Sequence, residues 1–413
     1  MEKKKISLWA KIVIFLSVMG PGIITANVDN DAGGITTYSV CGAHFGYSMI
    51  WSLIPILIAL AVIQEMSNRM GVVTGKGLAD LIREEFGVKI TFYAMVVLIL
   101  ANLGNAMAEF AGIAAASELF GISKYITVPL CALFVWWLVL KGTYKTVEKI
   151  FLGACVFYIS YILSGFLAKP EWNQVLHESI RPSFEFNKQF IFMLVGVVGT
   201  TIAPWMQFYQ QAAVVEKGVK IEDYNYSKLD TIVGAFVVNI IAFFIIVVCA
   251  ATLFKQGIRI ETAKDAAIAL KPLAGNYCYL LFAFGLFNAS LFAASILPLS
   301  TAYSVCEGMG WDTGVNKRFK EAPQFYSLYA GIIIISAFII LLPKVPLIPI
   351  MLISQVANGV LLPFILIFMT LLINNKRLMG AHVNSKLYNA ICWTVVVVMI
   401  ALSSFLFFSV FFH

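Results

Sequence analysis

Apolar blocks of about 20 residues recur along the whole chain, and a helix of that length crosses the hydrocarbon core of a bilayer. That repeat constrains the fold more than any other feature. In lipid every backbone N–H and C=O must be satisfied within the protein, so a chain of this kind folds as packed spanning helices. Only 12% of the 413 residues are charged and 60% are hydrophobic, whereas soluble domains are roughly a quarter charged. A soluble enzyme, a disordered regulator and a secreted disulfide scaffold are excluded. The seven cysteines, at 41, 131, 155, 249, 278, 306 and 392, lie in apolar stretches without metal-finger spacing and read as buried thiols.

Eleven spans are predicted, at about 11–43, 47–68, 90–120, 124–140, 147–167, 190–215, 231–254, 276–306, 325–342, 346–373 and 388–412. The basic start Met1-Glu2-Lys3-Lys4-Lys5 leads into the first block with no small-residue cleavage site, so that block reads as a retained span. Of the 29 Lys and Arg, 20 fall on alternate segments that include the N-terminus and 9 on the others. The bias predicts an N-terminus inside and, with eleven spans, a C-terminus outside. The net charge of +7 comes from these loops and implies no nucleic-acid partner.

The spans differ in quality. Spans 9 and 11 are plain and read as peripheral, facing lipid. Spans 1, 6 and 8 are interrupted by Gly, Pro and polar residues. Spans 1 and 6 occupy matching positions if the chain, a single transporter domain over 1–413, is two inverted five-span repeats (about 11–167 and 190–373) plus one extra span. Paired broken helices in two halves point to a transporter's substrate site.

In span 1, Gly20-Pro21-Gly22 is followed by Asn27, Asp29, Asn30 and Asp31, then Gly33-Gly34. Ionised carboxylates are costly at membrane depth and are functional by default there. Asn, Asp and Gly are poor helix formers, so an unwound segment is expected. Its carbonyls and carboxylates together make an oxygen site for a hard cation. Pairing of these acids with a buried base is the alternative, but no Lys or Arg lies deep in a span. Apolar flanks on both sides argue against an extracellular loop.

These residues resemble the Nramp family of divalent metal ion transporters, within the LeuT-like fold group. Cys41-Gly42-Ala43-His44-Phe45-Gly46-Tyr47 is similar to the stretch that follows the family's Asp-Pro-Gly-Asn motif, and counting back aligns the motif with Asp31-Ala32-Gly33-Gly34. Gly199-Thr200-Thr201-Ile202-Ala203-Pro204-Trp205 looks like the family's span 6 segment, with Ala203 for the metal-binding Met and Trp205 for the His. Ala108-Glu109 resembles the family's Ala-Glu, whose Glu belongs to a proton route; Ala106 stands where the family has an Asp. Phe282 to Leu286, Ser354-Gln355-Val356 and Leu362-Pro363-Phe364 match further family segments in spans 8 and 10.

The resemblance implies an all-α membrane transporter of the LeuT-like type, not an enzyme, in the cell membrane, most simply a bacterial inner membrane. No cofactor is expected; the lipid bilayer and a transported divalent cation are the partners. Asp31 and Asp29 are the expected anionic ligands, with carbonyls of Val28 and Thr200 and the amides of Gln355 and Asn358. For those two amides, bonding between helices is an equal alternative. Gly34, Ala203, Trp205 and Gln207 are expected to line the site. Loss of the thioether moves the ligand set toward oxygen alone, which suits Mg²⁺, then Mn²⁺. Proton coupling is thin, because His44, His177, His382 and His413 are placed outside the spans and only Glu109 remains. Glu109 also reads as a buried, protonated, hydrogen-bonded group. The competing function is a Na⁺-coupled carrier of a small organic solute, with the span 1 acids holding Na⁺ and Trp205 facing the solute.

Overall fold

The computed structural model describes residues 20, 22, 25, 28–141, 158–315 and 317–411. The first half of span 1 therefore lies almost wholly outside the described residues, as do the start of span 5 and His413. The described fold is helical. In chain order the helices used below are α1 (Ala32–Phe45), α2 (Leu53–Thr74), α3 (Leu78–Phe86), α4 (Val88–Leu119), α5 (Lys124–Lys141), α6 (Ile159–Leu167), α7 (Trp172–Ile180), α8 (Lys188–Thr201), α9 (Pro204–Lys217), α10 (Tyr224–Thr252), α11 (Cys278–Met309), α12 (Pro323–Leu341), α13 (Leu347–Ile373) and α14 (Lys386–Phe411). Among the described residues, eight helical segments are long and apolar enough to cross a membrane.

The surface carries many large apolar side chains, and a set of polar groups is buried within an otherwise apolar interior. Asp29, Asn30, Asp31, Gln64, Asn102, Asn105, Glu109, Gln207, Gln211, Gln355 and Asn358 are all buried, while Val97, Leu100, Leu133, Phe338 and Val397 are exposed. Lipid solvates the outer surface as well as a core would, so apolar residues gain nothing from facing inward. Polar groups do gain, because only the interior offers partners. α14 is the least buried of the spanning helices, as its unbroken apolar run predicts.

α1 runs through the middle, against α10, α13, α8 and α4. Close approach around it depends on missing side chains. A Cβ on Gly199 of α8 would fall 2.1 Å from the Gln355 carbonyl oxygen of α13, and one on Gly359 of α13 would fall 2.4 Å from the Val195 carbonyl oxygen of α8. Small residues at helix crossings replace the hydrophobic driving force that lipid cannot supply.

Two expectations, for span 8 and for His44, are corrected. Span 8 is one continuous helix, α11, with Pro298 inside it. Membrane helices tolerate proline because neighbouring groups re-satisfy the freed backbone. Asp230 lies inside α10, and its carboxylate accepts from the N–H groups of Gly20 (3.3 Å) and Gly22 (2.7 Å), clamping span 1 to α10. His44 lies in the last turn of α1 rather than in a loop. The one buried arginine of α2, Arg69, is paired with Glu65 at 3.3 Å and leaves nothing for the span 1 acids.

Candidate functional site

Two helix breaks face each other at the centre. The first runs through Asp29 and Asn30, which form a turn after Val28, and Asp31, which is extended at φ −71°, ψ −171°. Asp31 is the N-cap of α1: its Oδ1 accepts from the Gly34 N–H at 2.6 Å. A short acceptor before a helix satisfies one of the donors that the first turn leaves over. The same acceptor therefore ends the break and fixes where α1 begins.

The second break is dictated by proline. α8 ends at Thr201, Ile202 has φ −125°, ψ 59°, and Ala203 is extended at φ −69°, ψ 140°. Pro204 cannot donate a backbone hydrogen bond and pushes the residue before it out of the helical region. It opens α9 at the position where its missing N–H costs nothing. The two breaks are tied by the Tyr38 hydroxyl and Thr201 Oγ1, 2.7 Å apart.

The acids sit at the N-terminus of α1. Glu109, reaching across from α4, accepts from the Ala32 N–H through Oε2 at 3.2 Å. Its other oxygen, Oε1, has no hydrogen-bond partner. The positive end of the α1 dipole favours negative charge here. Asp29 is different. It is 2% exposed, and neither carboxylate oxygen has a hydrogen-bond partner. The charged neighbours of these acids are one another; among the described residues no Lys or Arg pairs with Asp29 or Asp31.

The other expected site residues divide by what they touch. Val28 and Thr200 are buried at the two breaks. Gly34 is required sterically: a Cβ there would lie 2.3 Å from the Asp29 carbonyl oxygen and 3.3 Å from Thr200 Oγ1. The family's Asn cannot occupy position 34 without moving Asp29. The Gln355 amide lies over Gly33, where a Cβ would be 1.9 Å from Nε2, so Gln355 reaches the start of α1. Asn358 stands behind it, exchanging two hydrogen bonds of 3.0 Å with Asn105 and donating to Gln355 Oε1 at 2.9 Å. Gln207 accepts from Ser67 at 3.1 Å, on the side of α9 toward α2. Ala203 is buried at the break, and Trp205 packs near Tyr209 while its carbonyl accepts from Ser300.

Sequence reasoning passed over Asn30 and Tyr158. The Asn30 carbonyl accepts from the Tyr158 hydroxyl at 3.0 Å, and its buried amide has no hydrogen-bond partner. The signal was available: Asn30 stands between the two aspartates. Among the described residues, no three His, Cys, Asp or Glu side chains converge closely enough to hold an ion. An ion at the breaks would need carbonyl, amide or water oxygens as well.

The family model for natural resistance-associated macrophage protein-like (Nramp) proteins matches residues 22–409. The chain belongs to the Nramp family. Among similar curated proteins is the divalent metal cation transporter MntH of Bacillus subtilis (strain 168), 26% identical over 402 residues, 95% of this chain and 92% of that one. MntH of Deinococcus radiodurans is 25% identical over 407 residues, covering 95% and 89%. Among solved structures, an Eremococcus coleocola manganese transporter superposes with a TM-score of 0.77 at 18% identity, covering 98% of this chain and 88% of that one. Mhp1, a nucleobase-cation-symport-1 family transporter, superposes at 0.57 with 13% identity, over 94% and 92%. The fold of this Nramp chain is thus of the LeuT-like type. Membership makes it a multi-pass transporter of the cell membrane and not an enzyme.

Proposed function

We propose that this Nramp protein carries divalent cations, Mg²⁺ and Mn²⁺ foremost, by alternating access around the two breaks. One observation carries the reading: Asp29 is buried, anionic in type, and has two oxygens with no partner. Burying such a group costs several kcal/mol unless something cationic or hydrogen-bonding answers it. No basic side chain among the described residues does so, and a transported cation would. Asp29 and Asp31 are the anionic ligands, the carbonyls at Val28 and Thr200 add neutral oxygens, and Gln355, held by Asn358, lies beside them at the start of α1. The relatives named above as divalent metal cation transporters support the substrate class. The Na⁺-coupled solute carrier is less favoured, because Trp205 is 2% exposed and packed near Tyr209 rather than open to a solute.

The test is uptake into proteoliposomes, comparing Mg²⁺, Mn²⁺ and Ca²⁺. Concentrative uptake of Mg²⁺ or Mn²⁺ is expected, and failure of both refutes the proposal. The Ala203→Met variant is expected to move selectivity toward Cd²⁺, since a thioether at the span 6 break favours softer ions. Competition of Cd²⁺ against Mg²⁺ measures it; an unchanged ratio would show that Ala203 does not face the ion.

A further inference from the structure

We infer a binding site for one acyl chain of an anionic phospholipid, in a groove between α4 and α13 that leads to the span 6 break. The groove encloses about 460 Å³, within the roughly 300–1,000 Å³ of small-molecule sites. Tyr93, Ala94 and Val97 of α4 line one side, Phe364 and Phe368 of α13 the other, and Pro204 of α9 lines it as well. On each long helix these positions recur at three or four residues, so each gives the groove a single face. Tyr93, Val97 and Phe364 are exposed on the outer surface, whereas Pro204 is buried. The groove therefore runs from the apolar outside of the bundle to the residue that opens α9.

Its length fits a lipid tail. On α4 the lining extends from residue 90 to residue 98, about 12 Å along the axis at about 1.5 Å per residue. Half of the hydrocarbon core of a bilayer is about 15 Å thick. Broken helices of transporters meet near the midplane, and α4 begins at Val88, two residues before the lining does. The groove thus spans one leaflet, from the headgroup border to the midplane. Water is a poor occupant. A buried water needs about two to four polar partners, and the lining side chains offer only the Tyr93 hydroxyl.

The charge at the mouth selects the headgroup. Lys89 is exposed and stands one turn before Tyr93 on the same face of α4. The acids just before it in the chain are engaged elsewhere, Glu84 by Lys76 at 2.7 Å and Glu85 by Arg377. The Lys89 ammonium is left to a phosphate. This is the end of α4 that the Lys and Arg bias puts inside, and the cytoplasmic leaflet carries the anionic lipids that basic side chains attract. The phosphate sits at Lys89, the tail passes Tyr93, Val97 and Phe364, and its end packs on Pro204. The site stands apart from the proposed function, since it does not depend on which solute is carried.

Photolabelling of the full chain in phosphatidylcholine vesicles tests it. The probe is a phosphatidylglycerol with a diazirine at the end of one acyl chain, and adducts are mapped by peptide mass spectrometry. Adducts are expected at buried Pro204 as well as at exposed Leu133 and Val397. A phosphatidylcholine with the same diazirine tail should label Pro204 about fivefold less, the attraction of one basic side chain for an anionic lipid. Lys89→Ala should abolish that difference. Ala94→Phe fills the groove and should remove the adduct at Pro204 while Leu133 and Val397 stay labelled. Lys89→Ala changes only an exposed side chain, so the test holds even if Ala94→Phe does not fold. The inference is overturned if labelling of the unaltered chain is confined to exposed positions, as it would be with a second copy of the chain covering the groove. It is also overturned if the two headgroups label Pro204 equally, or if folded Ala94→Phe keeps the adduct there.

Discussion

Replacing Asp31 by alanine is expected to abolish divalent-cation binding at the two breaks, and uptake with it. Asp31 supplies a carboxylate at the N-terminus of α1 beside Asp29, with no basic partner among the described residues. Affinity for a hard cation follows the number of charged oxygen ligands, and this change halves the aspartates at the breaks. Asp31 has a second task, because its Oδ1 caps α1 through the Gly34 N–H. Losing an N-cap acceptor costs about 0.5–2 kcal/mol, so the alanine variant is also expected to melt earlier. Asn caps a helix as well as Asp but carries no charge. Asp31→Asn should therefore keep the melting temperature and still lose binding. Calorimetric titration with Mg²⁺ and Mn²⁺, beside a thermal melt of each variant, separates the two tasks. Unchanged binding in either variant would remove Asp31 from the site.

Uptake is expected to follow the cation gradient and the membrane potential with little or no accompanying proton movement. A divalent ion moving inward carries two charges. A potential of about 100 mV, negative inside, contributes about 2.3 kcal/mol per charge, hence about 4.6 kcal/mol for two. At about 1.4 kcal/mol per decade this supports accumulation by more than three decades, so no proton is thermodynamically required. The described helices offer few carriers. Ala106 and Trp205 stand where the resemblance leads one to expect an Asp and a His. His44 is in the last turn of α1, 13 residues on from Asp31, which is about 20 Å along a helix. The competing route is Glu109, whose Oε2 accepts from the Ala32 N–H. That contact gives Glu109 a fixed structural role at the helix end. Proteoliposomes with an internal pH dye decide it. Cation-dependent acidification that disappears in Glu109→Gln would overturn this expectation.

Much of the architecture was legible because lipid simplifies the problem. The apolar blocks mark helices directly, and two positions could be read as breaks for chemical reasons: the Asn-Asp-Gly run of span 1, and Ala203-Pro204 of span 6. Span 8 misled, since Pro298 resembles the proline of span 6. The difference is context. Pro204 follows an extended residue and opens a helix, whereas Pro298 lies inside one whose neighbours absorb the lost bond. Which side chains meet across helices was the least legible. Periodicity puts Gln355 and Asn358 on one face of α13, but only packing shows that Asn358 turns to Asn105 while Gln355 lies over Gly33. The clamp of Asp230 on Gly20 and Gly22 is likewise a contact between residues more than 200 positions apart. No local pattern could reveal it.

The claim at the centre of this account is that the ion is held where Asp29 and Asp31 interrupt span 1, opposite the break at Ala203. Anomalous scattering from Mn²⁺-soaked crystals, recorded near the manganese absorption edge, tests it most directly. The account predicts the strongest peak within ligand distance of both the Asp29 and Asp31 carboxylates. A strongest peak elsewhere, with the oxygens of Asp29 still unliganded, would contradict it.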